Sequence, residues 1–303
     1  MKTVLIFGGS GFVGRHIIRR LAKSGYKIIV PHQNQINEAK LRLLGTTGQI
    51  IPISYRSINS KKMIDLINKS EIVINLKTLW DEKNISFQKG IYDFNVDLVR
   101  NINSSKKNKQ FIFFSGLGVD KSLDSLRNKN IFLSEKFIQN NLEKSVIIRP
   151  GIIIGGDDQF LKALLPLFKL SFFIPLFGDG LKKFQPVYID DVSVAVKKII
   201  DLNVSKNCIF EFVGPNTFTY KGLYKYIAGC MNKVRVLIPI PFSVAKITVS
   251  LLEKTPISPL NSEQLKLFNN DNLASDDYKK LEDLGIKPQD IKEIIKNIIK
   301  KNM

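Results

Sequence analysis

A cluster of glycines directly after the first apolar run constrains the fold of this chain more than any other feature. The run TVLIF, residues 3–7, is short and continuous, which is typical of a buried strand in a parallel sheet. The segment FGGSGFVG, residues 7–14, follows at once, and apolar residues then recur at helical spacing over 12–24. A strand, a glycine turn and a helix in this order predict the opening of a strand–helix–strand unit.

The spacing of these glycines predicts a phosphate-binding turn. Gly9, Gly11 and Gly14 match the pattern G-x-G-x-x-G, and Gly8 combined with the last two matches a variant spacing. One glycine makes the tight turn, the next lets the backbone approach a pyrophosphate, and the last permits close packing of helix on strand. The helix N-terminus stabilises the negative charge. We therefore expect a dinucleotide to bind at Gly8, Gly9, Ser10, Gly11, Phe12, Val13 and Gly14.

Strand-like and helical segments alternate as far as Pro150. Strands are predicted after the first one at 26–30, 49–54, 71–76, 110–115 and 145–150. Helical segments separate the strands at 12–24, 35–44, 61–70, 87–104 and 130–142. This alternation predicts an α/β fold, a Rossmann-type doubly wound parallel sheet with right-handed crossovers.

The alternation becomes irregular after Pro150. Helices are predicted at 159–170, 189–202, 219–231, 241–253 and 288–302, and strands at 207–214 and 233–240. We therefore expect a dinucleotide-binding domain over 1–150 and a smaller C-terminal α/β lobe over most of 151–303, with some segments returning to the first sheet. The last helix carries isoleucines on one face, which predicts docking on the protein's own core.

The composition excludes several classes of protein. With 303 residues, 44% of them apolar, the chain can bury a sizeable core. The two cysteines and two histidines lack the spacing of zinc ligands, so no metal is expected. No apolar run is long enough for a transmembrane helix. Met1 and Lys2 lead directly into TVLIF, so we expect a cytoplasmic protein without a signal peptide.

The net charge of +19 favours anionic partners without identifying one. Only nine of the 46 basic residues are arginines, and the lysines accompany many isoleucines and asparagines, which is typical of an AT-rich genome. Nucleic-acid motifs do not occur, so no nucleic acid is expected as a partner. Attraction to an anionic membrane surface stays open, and the apolar stretch 241–260 could meet a membrane, a partner protein or the protein's own core.

The end of the second strand bears on the identity of the dinucleotide. Sites for NAD place an acidic residue there, on the ribose 2′-hydroxyl. The segment VPHQNQ, residues 30–35, has no acid, whereas Arg15 and His32 are candidate cations for a 2′-phosphate. We therefore expect NADP(H) in preference to NAD(H), which stays possible. Both cations could equally be ordinary helix and loop residues.

These segments resemble the extended and atypical short-chain dehydrogenase/reductase superfamily. The matching residues outside the glycine loop are Asn75, Leu76, Asn95, Ser115, Lys136 and Pro150. The resemblance implies that Asn75, Leu76 and Pro150 lie along the cofactor site. It also implies that Ser115 and Lys136 hold the cofactor ribose and a polar group beside it.

The second half of the chain narrows the resemblance. Its segments FQPVYIDDV, FEFVGPNTFTYKGLYKYI, VLIPIPFSVAK and LEDLGIKP are similar to those of the dinucleotide-binding accessory subunits of respiratory complex I and their bacterial relatives. This resemblance implies a subunit that holds NADP(H) without established turnover, near the membrane arm and the quinone site. For a bacterial protein it implies a cytoplasmic location, peripheral on the cytoplasmic face of the inner membrane.

The catalytic position of the superfamily has changed in this chain. Active members that it resembles carry a tyrosine four residues before the lysine, and here that position is Phe132. A phenyl ring has no proton to give, and general acid–base catalysis contributes about 10²–10⁴-fold to a rate. We therefore regard Ser115, Phe132 and Lys136 as a degenerate site and name no catalytic residue.

Other ionisable residues are weak substitutes for the tyrosine. Glu135 is expected to be a surface charge, and Tyr188 is expected to pack rather than react. Four aspartates are expected to cap helices: Asp157, Asp158, Asp190 and Asp191. The main hypothesis is a non-catalytic accessory or assembly subunit of complex I. The alternatives are an NADPH-dependent reductase or epimerase acting on a quinone, isoprenoid or sugar nucleotide, and a sensor of NADPH occupancy.

Overall fold

A seven-stranded parallel sheet organises the computed structural model, which describes residues 1–33, 35–105, 108–204, 206–253 and 261–302. The strands of this sheet are β1 (Thr3–Phe7), β2 (Lys27–His32), β3 (Ile50–Ser54), β4 (Ile72–Asn75), β5 (Gln110–Phe114), β6 (Ser145–Pro150) and β11 (Cys208–Phe212). Their order across the sheet is β11-β6-β5-β4-β1-β2-β3. The predicted doubly wound Rossmann-type sheet is confirmed.

The remaining elements surround this sheet and continue beyond it. The short strands are β7 (Ile153–Ile154), β8 (Phe173–Phe177), β9 (Lys183–Phe184), β10 (Val187–Tyr188), β12 (Phe218–Thr219) and β13 (Val236–Ile240). The helices are α1 (Phe12–Lys23), α2 (Glu38–Arg42), α3 (Lys61–Lys69), α4 (Phe94–Asn103), α5 (Leu126–Asn141), α6 (Gln159–Leu170), α7 (Ile189–Asp201), α8 (Tyr220–Cys230), α9 (Phe242–Leu252), α10 (Ser262–Lys266) and α11 (Ile291–Asn302). Single turns of 3₁₀-helix occupy Leu267–Asn269 and Glu282–Leu284.

Both faces of the sheet are covered by amphipathic helices. On one face, α1 and α7 bury apolar side chains such as Ile17 and Val196 against β1, β2 and β6. On the other face, α3, α4 and α5 bury residues such as Met63, Leu98 and Ile138. Strands buried on both faces read as continuous apolar runs, which is why the sequence identified them.

Strand β11 joins the edge of the sheet although it follows β6 only after α6 and α7. It pairs in parallel with β6, from Cys208 opposite Val146 to Phe212 opposite Pro150. A separate apolar cluster unites α6, α8 and α11 and includes Phe168, Tyr224 and Ile295. The division into two lobes at residue 150 stays a prediction.

Two helices differ from their predicted bounds for local reasons. The helix α5 begins at Leu126 rather than at residue 130, because the Ser125 hydroxyl caps it by accepting a hydrogen bond from the Asn128 amide. The predicted helix 87–104 is divided into a π-helical segment, Gln88–Asp93, and the helix α4. Wide π-helical turns inside helices are frequent at functional sites.

Candidate functional site

The glycine loop between β1 and α1 depends on close backbone contacts. Gly8 has a φ of +74°, and a Cβ there would lie 2.8 Å from the carbonyl carbon of Leu76. A Cβ on Gly14 would lie 2.5 Å from Cα of Gly9. These contacts leave no room for a side chain. The loop is therefore held against β4 and folded tightly under the first turn of α1.

The N-terminus of α1 suits an anion. Its N-cap residue, Gly11, offers no side-chain hydrogen bond, and the first turn contains no acidic residue. The amides at this end therefore lack the usual side-chain acceptors, and the helix dipole adds partial positive charge. Phe12 turns its ring toward Gly155, where a Cβ would come within 2.8 Å of Phe12 Cζ. The arrangement fits the pyrophosphate of a dinucleotide.

Arg15 and His16 connect this helix to the loop after β7. Arg15 forms an ion pair with Asp157 and donates a hydrogen bond to the Ser10 carbonyl oxygen at 2.9 Å. His16 Nε2 lies 3.2 Å from the other Asp157 carboxylate oxygen. Burial disfavours the charged form of Asp157, but the hydrogen bonds from Arg15 and His16 outweigh burial and lower the pKa of this carboxyl. Arg15 therefore already has a carboxylate partner.

His32 lies at the end of β2, where the sequence predicts contact with the ribose. Its Nε2 atom is 3.1 Å from a carboxylate oxygen of Glu38, the first residue of α2. The second Glu38 oxygen accepts a hydrogen bond from Arg42 at 2.9 Å. The sequence showed no acid in residues 30–35, yet the structure brings Glu38 to the same strand end. Only the fold of the β2–α2 connection reveals this contact.

A buried amide pair holds the end of β4. The Asn75 amide donates to the Asn95 side-chain oxygen at 2.8 Å, and the Asn95 amide donates to the Ile91 carbonyl oxygen at 2.8 Å. The Asn75 oxygen accepts from the Lys77 backbone amide at 3.0 Å. The Leu76 amide donates to the Phe7 carbonyl oxygen at 2.9 Å, beside the glycine loop. Asn75 and Asn95 thus fix the course of the backbone through Leu76 and Lys77.

Lys77 is a feature of the site that the sequence analysis missed. Its ammonium lies 3.1 Å from the Gln33 side-chain oxygen and 4.1 Å from the centroid of the Phe94 ring. Burial lowers the pKa of this ammonium. The only sequence signal is a lysine directly after the VINL segment of β4, at the switch point of the strand order.

The residues of the predicted degenerate site are divided between the end of β5, which Ser115 follows, and α5, which carries Phe132 and Lys136; we call this the reaction end. The Ser115 amide donates to the Ile148 carbonyl oxygen at 2.8 Å, so the residue continues β5 alongside β6. In the described part of the chain its hydroxyl is buried and has no hydrogen-bond partner. Lys136 Nζ lies 5.2 Å from the centroid of the Phe132 ring and is exposed. The Pro150 carbonyl oxygen accepts from the Leu117 amide at 3.0 Å, which holds the loop after Ser115.

The prediction that Glu135 is a surface charge is wrong. Its side chain is 1% exposed and forms two hydrogen bonds with Arg149, at 2.9 and 2.6 Å. Arg149 also donates to Asp120 at 2.7 Å and lies 3.7 Å from Glu211. Glu135 belongs to the stripe that α5 turns toward the sheet, together with Ile131 and Ile138. The prediction failed because a carboxylate in that stripe was taken for the solvent face.

This charge cluster connects β6, α5 and β11. Burial opposes the charge of Arg149, but the hydrogen bonds and charge of Glu135 and the charge of Asp120 outweigh it and raise the arginine's pKa. Burial raises the pKa of Glu211, although the Ser275 amide and Arg149 oppose that shift. The Arg149 guanidinium also lies 4.8 Å from the centroid of the Tyr278 ring. The three carboxyls of the cluster are paired with Arg149.

The other candidate acids have structural partners. Asp158 caps α6 by accepting from the Leu161 amide at 2.7 Å, as predicted, and burial raises its pKa. Asp190 forms an ion pair with Arg20, and Asp191 accepts from the Gln289 amide at 2.8 Å. Both lie in the first turn of α7, whose N-cap is Tyr188. Tyr188 is half-buried and lines a cavity of about 410 Å³ beside α11. Ser115 does not line this cavity.

Residues of α5 and of the second half contact the loops that follow β4 and β5. Arg127 donates to the Leu79 carbonyl oxygen at 2.7 Å and stacks its guanidinium 3.8 Å from the centroid of Trp80. The Asn261 amide donates to the Trp80 carbonyl oxygen at 2.7 Å. The Asn272 amide donates to the Leu117 carbonyl oxygen at 3.0 Å, while its own oxygen is buried without a partner among the described residues. Local sequence patterns do not predict these long-range contacts.

The described residues bear on two further features, metal ligands and membrane-crossing helices. They contain no group of histidine, cysteine or carboxylate side chains that could hold a metal ion. No described helix has the length and apolar content that crossing a bilayer requires.

Comparison with known sequences connects this geometry to characterised families. Residues 4–119 match the NAD dependent epimerase/dehydratase family. The chain is 28% identical over 299 residues to NADH dehydrogenase [ubiquinone] 1 alpha subcomplex subunit 9, mitochondrial, of Arabidopsis thaliana, covering 95% of this chain and 74% of the relative. It is 29% identical over 292 residues to the protein of the same name from Rattus norvegicus, covering 93% and 76%.

Solved structures with the same fold carry bound dinucleotides. MoeE5 in complex with UDP-glucose and NAD superposes with a TM-score of 0.75 at 12% identity, over 99% of this chain and 98% of that protein. A human epimerase family protein with NADPH superposes with a TM-score of 0.69 at 15% identity, over 98% and 99%. At these identities the likeness shows the fold alone. The chain therefore matches the NAD dependent epimerase/dehydratase family over residues 4–119, shares its fold with these dinucleotide-bound proteins, and is a homologue of the subunit 9 proteins over nearly its whole length.

Proposed function

We propose that this protein is a non-catalytic, dinucleotide-binding accessory or assembly subunit of an NADH:quinone oxidoreductase. The observation that carries the proposal is similarity along about 95% of the chain to subunits of that complex, combined with an intact glycine loop and Phe132 in place of a proton donor. Dinucleotide binding survives the loss of the tyrosine because it depends on the backbone of the glycine loop. Proton transfer by the usual route does not.

The proposed cofactor is NADP(H), held by the residues predicted from the sequence. The glycine loop would receive the pyrophosphate, and the carboxyl ends of β4, β5 and β6 would line the nicotinamide half. The buried Ser115 hydroxyl fits this assignment, because a buried hydroxyl without a partner costs free energy unless a ligand completes it. A bound nicotinamide can exchange hydride with a substrate. The residues of this chain would bind and orient it, and Phe132 supplies no proton beside it.

Native purification tests the assembly role. A tagged copy expressed at its natural level should co-purify with the other subunits of the complex after mild detergent extraction, and cells lacking it should assemble less of the complex. A double substitution of Gly9 and Gly14 to valine provides the matched variant, because it removes the nucleotide loop while leaving the second half intact. Recovery of the wild-type protein alone, with normal assembly in its absence, would refute the proposal.

Mass spectrometry of the ligand released on denaturing the purified protein tests the cofactor. NADP(H) is the expected species, at close to one equivalent per chain. Recovery of NAD(H) would reject the preference for NADP(H) while leaving the binding role in place. Absence of any dinucleotide, even after incubation with both and rapid gel filtration, would reject the binding role itself.

We also propose that the protein lies on an anionic membrane surface, on the cytoplasmic face in a bacterium. The support is an apolar stripe on α9 formed by Val244, Ile247 and Leu251, whose side chains are 50%, 64% and 66% exposed. The helix has no acidic residue and carries Lys246. The preceding strand β13 adds two further exposed side chains, Val236 and Ile238. Apolar side chains beside lysines, on a protein with a net charge of +19, match anionic headgroups above an acyl layer.

Flotation with liposomes tests this surface. Vesicles containing phosphatidylglycerol should carry the wild-type protein upward at low salt, and vesicles of phosphatidylcholine alone should carry much less. Ile247→Glu should reduce flotation at least about fivefold, because each nearby charge contributes roughly 1 kcal/mol and the apolar contact is lost as well. Leu202→Glu, an equally exposed leucine at the end of α7, is the control and should float normally. Equal flotation of both variants would reject this surface.

The alternative function is an NADPH-dependent reductase or epimerase with an unusual acid. The unpaired hydroxyl of Ser115 and the retained Lys136 favour it, since both residues match the sequence pattern of the superfamily that the chain resembles. Single-turnover oxidation of NADPH across quinones, isoprenoid carbonyls and sugar nucleotides is the measurement. Turnover by the wild-type protein that Ser115→Ala removes would support it. Inertness of the wild-type protein and of Phe132→Tyr alike would exclude it.

A further inference from the structure

Lys77 occupies a position between the ends of three neighbouring strands. It follows β4, its backbone nitrogen would lie 3.0 Å from a Cβ on Gly8 after β1, and its ammonium reaches Gln33 after β2. These strands are neighbours in the order β4-β1-β2. The side chain therefore crosses the carboxyl end of β1, on the side of the glycine loop where the fold places the adenosine ribose.

The charge of Lys77 has neutral partners. They are the Gln33 amide oxygen at 3.1 Å and the face of the Phe94 ring at 4.1 Å. Burial lowers the pKa of the ammonium, and within the described part of the chain no carboxylate opposes that effect. A partly desolvated cation without a counter-ion costs free energy that an anionic ligand can recover. Arg149, by comparison, has carboxylates from three elements around it.

The two cations predicted from the sequence for this role have other partners. Arg15 is paired with Asp157, and His32 is held against Glu38. Glu38 in turn bonds to Arg42. The carboxylates that satisfy these groups would also repel a phosphate. Lys77 differs from both because its neighbours among the described residues carry no opposite charge.

We infer that Lys77 is the residue that recognises the 2′-phosphate of NADP(H), with Gln33 holding its ammonium at the ribose. The inference rests on the proposed dinucleotide-binding function and names the specificity determinant within that site. An ammonium facing a phosphate dianion forms a charge-assisted hydrogen bond, whereas the 2′-hydroxyl of NAD(H) offers no charge to pair. Lys77 should therefore separate the two dinucleotides by affinity.

Parallel titrations of the full-length protein with NADPH and NADH, followed by fluorescence and calorimetry, test the assignment. Lys77→Met should weaken NADPH about 10- to 100-fold and leave NADH within about twofold, because only the phosphate contact is lost. Lys77→Arg should keep the preference for NADPH, since a guanidinium also pairs with phosphate. Lys23→Met, at the far end of α1, removes the same charge from an exposed site and should change neither affinity.

A second variant protects the test against misfolding at residue 77. Gln33 is exposed, and Gln33→Glu would place a carboxylate on the ammonium and repel the phosphate. It should weaken NADPH selectively, as Lys77→Met does. Equal losses for NADPH and NADH in Lys77→Met would assign the lysine to the pyrophosphate or to the loop and would overturn the inference, as would unchanged affinities. Failure of the wild-type protein to bind either dinucleotide would sink the proposed function together with it.

Discussion

The two ends of the proposed cofactor site, the glycine loop and the reaction end, are built in different ways. The nucleotide end is a backbone structure, in which Gly8, Gly9 and Gly14 allow contacts that any side chain would block. The reaction end depends on the chemistry of individual side chains, and one of them, Phe132, has lost it. A backbone site persists as long as the fold persists, whereas a side-chain site changes with a single substitution. Retained binding and lost chemistry are therefore compatible in one chain.

The largest expected effect is a loss of stability when the charge cluster around Arg149 is broken. Arg149→Met would leave the buried carboxyls of Glu135 and Glu211, and the partly buried carboxyl of Asp120, without their cation. Removing one partner of a buried ion pair costs about 3–5 kcal/mol, and we expect that loss in the free energy of unfolding by denaturant at pH 7. A loss below about 1 kcal/mol, which is typical of substitutions at exposed positions such as Lys136, would contradict this prediction.

The same variant makes a prediction about pH. Without Arg149, the pKa of Glu211 should rise further, because burial already raises it and the opposing charge of Arg149 is lost. A carboxyl with a raised pKa stabilises the folded state below its unfolded pKa, and that stability is lost as pH rises through the folded pKa. The deficit of Arg149→Met relative to wild type should therefore shrink from pH 7 toward about pH 4.5. Arg56→Met, an exposed control, should show no deficit at either pH.

The next effect concerns the glycine loop. Gly14→Ala would bring a Cβ to 2.5 Å from Gly9 Cα and force the loop away from α1. We expect NADPH affinity to fall roughly 100-fold, because the amides that face the pyrophosphate move together. Gly229→Ala in α8 meets no atom within 4 Å and should leave affinity unchanged. Normal binding by Gly14→Ala would remove the distinction between a backbone end and a side-chain end.

A smaller effect is expected where the two halves meet beside the loop. Asp157 accepts from Arg15 and His16, and these hydrogen bonds lower its pKa against the opposing effect of burial. A carboxyl with a lowered pKa stabilises the fold above its unfolded pKa, and this stability is lost as pH falls through the folded pKa. Asp157→Asn should therefore lower the free energy of unfolding at pH 7 by less than about 1 kcal/mol, because the ion pair is partly exposed, and the melting temperature should fall slightly. The difference from wild type should shrink as the pH falls below about 4 and vanish only below the lowered pKa of Asp157; a constant difference would show a cause other than charge.

The smallest effect is expected at Phe132 itself. Its ring meets the Lys136 ammonium at 5.2 Å and is half-buried, so a hydroxyl can be added without filling a closed core. Phe132→Tyr should change NADPH affinity by less than about twofold and stability by less than about 0.5 kcal/mol. Calorimetric titration and a thermal melt check both values. A large change in affinity would mean that the reaction end contributes to holding the nucleotide.

Sequence periodicity predicted the sheet and its covering helices because both depend on local apolar patterns. The glycine loop was equally visible, since its spacing follows from backbone sterics. Lys77 and Glu135 were not visible, for different reasons. Lys77 donates a hydrogen bond to Gln33, and this contact joins the ends of two strands that lie on either side of β1. Glu135 lies in the buried stripe of α5, four residues after Ile131 and three before Ile138, and that spacing is the signal that could have shown its burial.

The late arrival of β11 has a consequence for synthesis of the chain. Until Cys208–Phe212 has been made, β6 presents a free edge of backbone amides and carbonyls along the apolar segment Val146–Ile148. Unpaired edges of this kind recruit strands from other chains. Arg149 also lacks one of its carboxylate partners until then, because Glu211 lies in β11. A polypeptide truncated soon after Pro150 should therefore aggregate in the cell, and the nascent protein should depend on chaperones until its second half closes that edge.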